Sequence, residues 1–249
     1  MNRHFVILSM VALAGCSSQP GPLTPTEFCN KEAREICAAV SPACLIPVTG
    51  CTPGLLAKCS ADAQTQANSG LDFIPPNAEA CLTKVNATYG KLNQGAVALA
   101  ASDFQAMNEV CNNVYRGTTL ANGPCSSDAV CLNGLICDKL HCGTALMVAQ
   151  GAGCANTGET CPQGFYCGDS AGVLLCVTKA GPGGTCTDVP CSENLRCSGG
   201  VCATQLGIGE DCAVDQDCSS GFCEPYAAKC AQDVRFANGS AACIAMSGP

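Results

Sequence analysis

Residues 122–142, NGPCSSDAVCLNGLICDKLHC, place four cysteines, Cys125, Cys131, Cys137 and Cys142, in one short unit. The arrangement returns three times. Cys154, Cys161, Cys167 and Cys176 form a second group, Cys186, Cys191, Cys197 and Cys202 a third, and Cys212, Cys218, Cys223 and Cys230 a fourth. Aligned on the second cysteine, the groups share a Gly/Asn-Leu/Phe core. It reads Gly134-Leu135, Gly164-Phe165, Asn194-Leu195 and Gly221-Phe222, at steps of 30, 30 and 27 residues. Self-similarity at a period of this length marks a repeat array. Residues 122–230 therefore read as four tandem units.

Gly and Asn tolerate a left-handed backbone, so their recurring position predicts a tight turn between the second and third cysteines. The Leu or Phe that follows is expected to be the one apolar plug of each unit. A second glycine, Gly123, Gly151, Gly183 or Gly209, stands just ahead of each first cysteine. Units this short fall below the roughly 40 residues at which a core holds itself, so cross-links must supply the stability, at about 2–5 kcal/mol per native bridge. Each unit is expected to be a pair of irregular β-hairpins closed by two disulfides. Four cysteines allow three pairings, and first with third, second with fourth is the preferred one. It gives Cys125–Cys137, Cys131–Cys142, Cys154–Cys167, Cys161–Cys176, Cys186–Cys197, Cys191–Cys202, Cys212–Cys223 and Cys218–Cys230.

The start of the chain bears on its compartment. Residues 1–15 combine Arg3 with an apolar run over 5–14. Ten residues span about 15 Å as a helix, half a bilayer, which predicts a signal peptide and not a transmembrane helix. The run ends in Leu13-Ala14-Gly15-Cys16, which resembles the bacterial lipobox; the other reading is an ordinary secretory signal with a chance cysteine. The resemblance implies that Cys16 is acylated and becomes the mature N-terminus. Ser17, with no Asp in that place, implies sorting to the outer membrane. Several acyl chains would anchor firmly, at about 0.8 kcal/mol per buried methylene. Residues 16–23 then read as a tether. Setting Cys16 aside leaves 24 of the 25 cysteines, the even number that full pairing in an oxidising compartment requires.

A mature chain of 234 residues suffices for two modest domains. It has no Trp, 4% aromatic residues, and a 47% hydrophobic fraction inflated by cysteine and alanine. Residues 122–249 hold five Lys or Arg against twelve Asp or Glu, a surface unsuited to nucleic acid.

Residues 24–117 read as helical. Thr24-Pro25-Thr26-Glu27 has the layout of a capping box, and a helix is expected from there to about Val40, where Ser41-Pro42 stops it. Thr52-Pro53 opens a second helix to about Ala67. In an antiparallel hairpin, facing residues have a constant sum of positions. Cys29 with Cys59, and Cys37 with Cys51, both sum to 88, predicting two nested bridges across one helical hairpin. A third helix is expected from Pro75-Pro76 to about Leu92, a small-residue connection over 95–101, and a fourth helix capped by Ser102-Asp103. Leu82, Val85, Tyr89 and Leu92 recur at helical spacing and read as a core face. Seven cysteines in this region is an odd number, so Cys243 is expected to pair back with it and fold residues 231–249, read as a C-terminal tail, onto the helices. The partners of Cys44, Cys81 and Cys111 stay open. The fold class is thus small disulfide-rich repeats of irregular β-hairpins, preceded by an all-α, disulfide-stapled four-helix domain.

Lipobox, cysteine-bearing helices and repeats together resemble cysteine-rich surface lipoproteins of myxobacterial type. The repeats alone resemble the Dickkopf N-terminal cysteine-rich module over residues 122–230. Eight residues separate Cys167 from Cys176, a departure from the regular spacing. The colipase-like second domain of the animal proteins is also missing, so receptor antagonism does not carry over.

Chemistry is thin. His141 is the one histidine after the signal, and its simpler reading is a surface residue. No Gly-x-Ser-x-Gly elbow accompanies it. No two cysteines stand two residues apart, and no phosphate loop precedes a helix, so neither metal nor cofactor is expected. Glu210, Asp211, Asp215 and Asp217 lack EF-hand spacing and read as a solvated acidic face. Asn86-Ala87-Thr88 fits a glycosylation sequon without a reason to expect its use. The expected function is a non-enzymatic, outer-membrane-anchored lipoprotein that serves as a surface binding or structural module. It would touch the membrane through its acyl chains and an unknown protein or envelope partner. The alternative is an exported protease inhibitor or enzyme acting through a loop, with Val173-Leu174-Leu175 in residues 168–175 as the candidate.

Overall fold

A computed structural model of the chain describes residues 21–132 and 134–247. The signal segment, Cys16 and most of the tether lie outside the described residues. Helix α1 (Pro25–Cys44) starts on a complete capping box. The Thr24 hydroxyl accepts from the Glu27 amide at 3.3 Å, and the Glu27 carboxylate accepts from the Thr24 amide at 3.0 Å. It runs past the expected stop at Ser41-Pro42. Pro42 sits in the last turn, where one missing N–H costs a single backbone bond, and left-handed Leu45 (φ 56°) ends the helix instead.

Helix α2 (Val48–Asn68) begins before Thr52-Pro53, with Pro47 as its N-cap and Pro53 inside. It returns antiparallel to α1 and is held by Cys29–Cys59 and Cys37–Cys51. Helix α3 (Pro75–Asn93) packs on α1, and α4 (Ala101–Cys111) packs on α3, joined by Cys81–Cys111.

The segment read as a small-residue connection and the segment read as a tail meet each other. Ala98–Ala100 forms a strand paired antiparallel with Asp233–Arg235, burying Leu99 and Val234 completely. The Ala101 amide then donates to the Gln232 carbonyl at 2.8 Å, so α4 is started by the chain's far end and not by a Ser102 cap. A short helix, α5 (Ala241–Met246), follows, and its Cys243 is bridged to Cys44. One core results. Phe28, Val40, Val85, Leu99, Phe104 and Phe236 are buried together, with the Tyr89 ring 5.8 Å from Phe104 and 5.9 Å from Phe236. Each such side chain contributes about 1.5–3 kcal/mol by leaving water.

Between Arg116 and the Asp233–Arg235 strand the helices give way to two-stranded hairpins, one per unit and not the expected pair. Ile136–Asp138 pairs with His141–Gly143, Phe165–Ser170 with Val173–Thr178, Leu195–Ser198 with Val201–Thr204, and Cys223–Glu224 with Lys229–Cys230. In each, the first cysteine is bridged to the third and the second to the fourth. The turn ahead of the third cysteine is left-handed in every unit, with φ of 90° at Gly134, 83° at Gly164, 67° at Asn194 and 68° at Gly221.

A second equivalence corrects the sequence alignment. The fourth-cysteine carbonyl accepts from the amides of Gly151, Gly183 and Gly209, and in the first unit from Asn122, not Gly123. Asn122 is the left-handed residue there (φ 66°), since Asn can substitute for Gly in that conformation. The plugs also differ from expectation. Leu135, Phe165 and Leu195 are half-buried, and only Phe222 is buried, because it enters the helical core 6.3 Å from Phe104.

Successive units are joined by side chains on main chain. Lys139 reaches the carbonyls of Cys154 and Asn156, Asp138 accepts from the Gly158 amide at 3.0 Å, and Glu193 accepts from the Gly164 amide at 2.9 Å and from Lys179 at 2.7 Å. The array is attached at both ends. Its start leaves the strand pair Tyr115–Arg116 with Asp72–Phe73, and the Gly117 amide donates to the Ala129 carbonyl at 2.6 Å. Its end is fixed by Phe222, by Gln105 donating to the Gly221 carbonyl at 2.7 Å, and by the Asp233–Arg235 strand.

Candidate functional site

The residues singled out in the sequence are mostly consumed by structure. Twenty-four cysteines form twelve bridges, and the twenty-fifth, Cys16, lies outside the described residues. Three sulfurs of each unit, such as those of Cys125, Cys131 and Cys142, come within 4.8 Å of one another, but all are disulfide sulfurs without a thiolate for a metal.

The acidic group of the fourth unit is spent on loop amides. Asp217 accepts from Ala213 at 3.0 Å and Val214 at 3.2 Å, Asp215 accepts from Cys223 at 2.8 Å, and Glu210 accepts from Gly207. Asp211 is ion-paired with Lys229 at 2.7 Å. Asp128 repeats the role of Asp215 in the first unit, accepting from Cys137 at 2.7 Å. These contacts hold the carboxyls of Asp217 and Asp211 below their usual range, chiefly through the amide bonds for the first and the Lys229 hydrogen bond for the second. His141 is exposed, its Nδ1 3.0 Å from the Lys139 carbonyl. Asn86 lies inside α3, and the Thr88 of its sequon is buried.

Residues 168–175 are not an extended loop. Strands Phe165–Ser170 and Val173–Thr178 are closed by Ala171 (φ 54°) and Gly172 (φ 84°), two left-handed residues that match the two-residue hairpin turn. The other edge of Val173–Thr178 is filled too: Leu174 accepts from the Cys154 amide at 3.1 Å, and the Cys176 amide donates to Ala152 at 3.0 Å.

A groove lies over the helices, between the two points where the array is attached. One hollow of about 420 Å³ is lined by Phe28, Val114 and Tyr115 with Ala129 of the first unit. A second of about 340 Å³ is lined by Tyr89, Phe104 and Met107 with Tyr226 of the fourth unit. Glu32 of α1 and Asp62 of α2 line both. The helical hairpin places them there: each stands three residues from one half of the Cys29–Cys59 bridge, on facing helices.

Among the described residues neither carboxylate forms an ion pair or accepts a hydrogen bond. Burial, then the negative charges of Asp62 and Glu35, push the Glu32 carboxyl up to about 7, against the opposing pull of Lys58. Burial and Glu32 likewise raise Tyr115, whose hydroxyl is buried without a partner. Sequence reasoning had no means to find this groove. Glu32 and Asp62 are ordinary helix-surface residues in the sequence; distant segments leave Glu32 half-buried, while Asp62 stays exposed at the groove's edge.

No helix among the described residues is long and apolar enough to cross a membrane. No protein-family model matches the chain, and neither the curated proteins nor the solved structures include a match.

Proposed function

We propose that the protein is a non-enzymatic, outer-membrane-anchored lipoprotein whose rigid disulfide array serves as a binding or structural module at the cell surface. The observation that carries this is the cysteine pattern: twelve bridges use every cysteine but Cys16, and Cys16 follows Leu13-Ala14-Gly15, the place of the acylated cysteine in a lipobox. In this reading residues 1–15 are a cleaved signal, residues 16–23 a tether, and residues 24–117 a four-helix stapled base. Residues 122–230 are the displayed array, and residues 231–249 tie its end to the base. The resemblance to cysteine-rich surface lipoproteins and to Dickkopf N-terminal modules belongs to the same proposal.

Detergent phase partitioning and intact-mass analysis of the N-terminus test it. The expected result is a detergent-phase protein carrying a diacylglyceryl-type mass on Cys16, lost in C16S. An unmodified mature start at Ser17 or later overturns it. The inhibitor reading is disfavoured by geometry. A reactive loop must offer extended, unpaired backbone to a protease, and both edges of Val173–Thr178 are already hydrogen-bonded.

A further inference from the structure

We propose that the groove centred on Glu32 and Asp62 is a binding site for a small organic ammonium ion with an apolar body. The site is separate from the anchor, and the proposal stands whether or not Cys16 is acylated.

Each hollow is of the size that small-molecule sites occupy, and together they offer one polar centre between two apolar ends. The centre is acidic. Glu32 and Asp62 face each other from α1 and α2 without a cation in ion-pair distance, and Glu35 adds a third negative charge on the same helix. Lys58 at the rim is the one basic group that acts on Glu32. The walls are aromatic and thioether: Tyr89, Phe104 and Met107 on one side, Phe28 and Tyr115 on the other.

Carboxylates beside aromatic faces are the combination that recognises an ammonium group, by charge and by attraction to the ring quadrupole. An anion would meet repulsion, and a neutral apolar ligand would leave two carboxylates to be desolvated without compensation. The unpartnered Tyr115 hydroxyl gives an occupant's oxygen one donor.

A proton competes for the same place. With its carboxyl pushed up to about 7, Glu32 is largely neutral at pH 6 and largely ionised at pH 8. Bound cation favours the ionised form, so binding releases a proton and tightens as pH rises. The ionised fraction of such a group changes roughly tenfold between pH 6 and pH 8. The groups facing Glu32 are Glu35 on its own helix, Asp62 and Lys58 on α2, Tyr89 on α3, Tyr115 after α4, and Tyr226 of the fourth unit.

Titration of the oxidised protein with benzyltrimethylammonium, whose charge does not change with pH, provides the test by calorimetry and by backbone amide shifts in α1 and α2. Expected are binding about tenfold tighter at pH 8 than at pH 6, proton release near pH 7, and no binding of phenylacetate. E32Q and D62N should each weaken the cation at least tenfold at pH 8, and E32Q should abolish the pH dependence. Benzyl alcohol binding as tightly as the cation, or E32Q binding with unchanged affinity, overturns the proposal. E32Q is nearly isosteric with the parent side chain, and amide shifts of α1 and α2 that match the parent's before the probe is added separate a loss of binding from a loss of fold. Displacement of the probe by phosphatidylethanolamine vesicles assigns the ammonium to a lipid head group. Displacement by free amines alone assigns it to a soluble ligand. Either supports the site.

Discussion

Cys44 at the end of α1 is joined to Cys243 of α5, 199 residues later, and both cysteines are buried. A loop of that length is worth about 5 kcal/mol in chain entropy. The paired variant C44S/C243S should therefore lose about 2–5 kcal/mol. Amide exchange should rise at the strand pair of Ala98–Ala100 with Asp233–Arg235, while the Phe165–Ser170 hairpin keeps its protection. An unchanged denaturation midpoint would show that packing of Val234 and Phe236 alone fixes the chain end.

Gly117 passes so close to the first unit that a methyl group on it would stand 1.7 Å from the Val130 carbonyl oxygen. The backbone would have to part for G117A, at a cost of roughly 1–3 kcal/mol. At Gly181, between the second and third units, a methyl group meets nothing within 4 Å, so G181A should be neutral. Thermal unfolding of the two variants side by side checks both statements.

Glu32 makes stability depend on pH in a defined direction. Its carboxyl stands near 4.5 unfolded and about 7 folded, so the folded state holds the proton more tightly. The contribution is fully present below pH 4.5 and is lost as pH rises through 7. E32Q should accordingly match the parent at pH 4 and exceed it at pH 8, by roughly 3 kcal/mol at most. Chemical denaturation across that range measures it. A parent that outlasts E32Q at pH 8 would mean the carboxylate has a favourable partner.

Reduction should affect the two halves unequally. The units bury little beyond their own cysteines, as in the first, whose buried cluster is Cys125, Cys131 and Cys142. Ordering a backbone costs roughly 1–2 kcal/mol per residue, which so small a cluster cannot offset without bridges. In strong reductant the amides of Phe165–Ser170 and Leu195–Ser198 should exchange freely, while α3, which packs into the core through Val85, Tyr89 and Leu92, keeps part of its protection. Amide exchange of the full chain shows this directly. Protected hairpin amides after complete reduction would contradict it.

What the sequence showed plainly was whatever is local or periodic. The left-handed turns at Gly134, Gly164, Asn194 and Gly221 need only the conformational chemistry of Gly and Asn. The constant sum shared by Cys29–Cys59 and Cys37–Cys51 needs only the geometry of two antiparallel helices. What stayed hidden depends on distant chain. Ala98-Leu99-Ala100 is too short and too alanine-rich to announce a strand, and it becomes one because Asp233–Arg235 arrives beside it. Pro42 and Pro53 looked like boundaries, yet tertiary packing and bridges carry α1 and α2 through them. Residues 168–175 looked like a spare loop because an eight-residue gap and a two-residue turn in a longer hairpin are alike in cysteine spacing. Glu32 and Asp62 gave no signal, since the groove that they line is assembled from distant segments of the chain.

The way the array is fastened also determines what a protease can remove. No bridge joins one unit to the next; every one closes within its own unit. A single cut near Gly181 nevertheless frees nothing, because the fragment that follows is still tied through Cys243 to Cys44 in the fragment that precedes. Shedding any part of the oxidised array requires two cuts, and even then only the units between them depart.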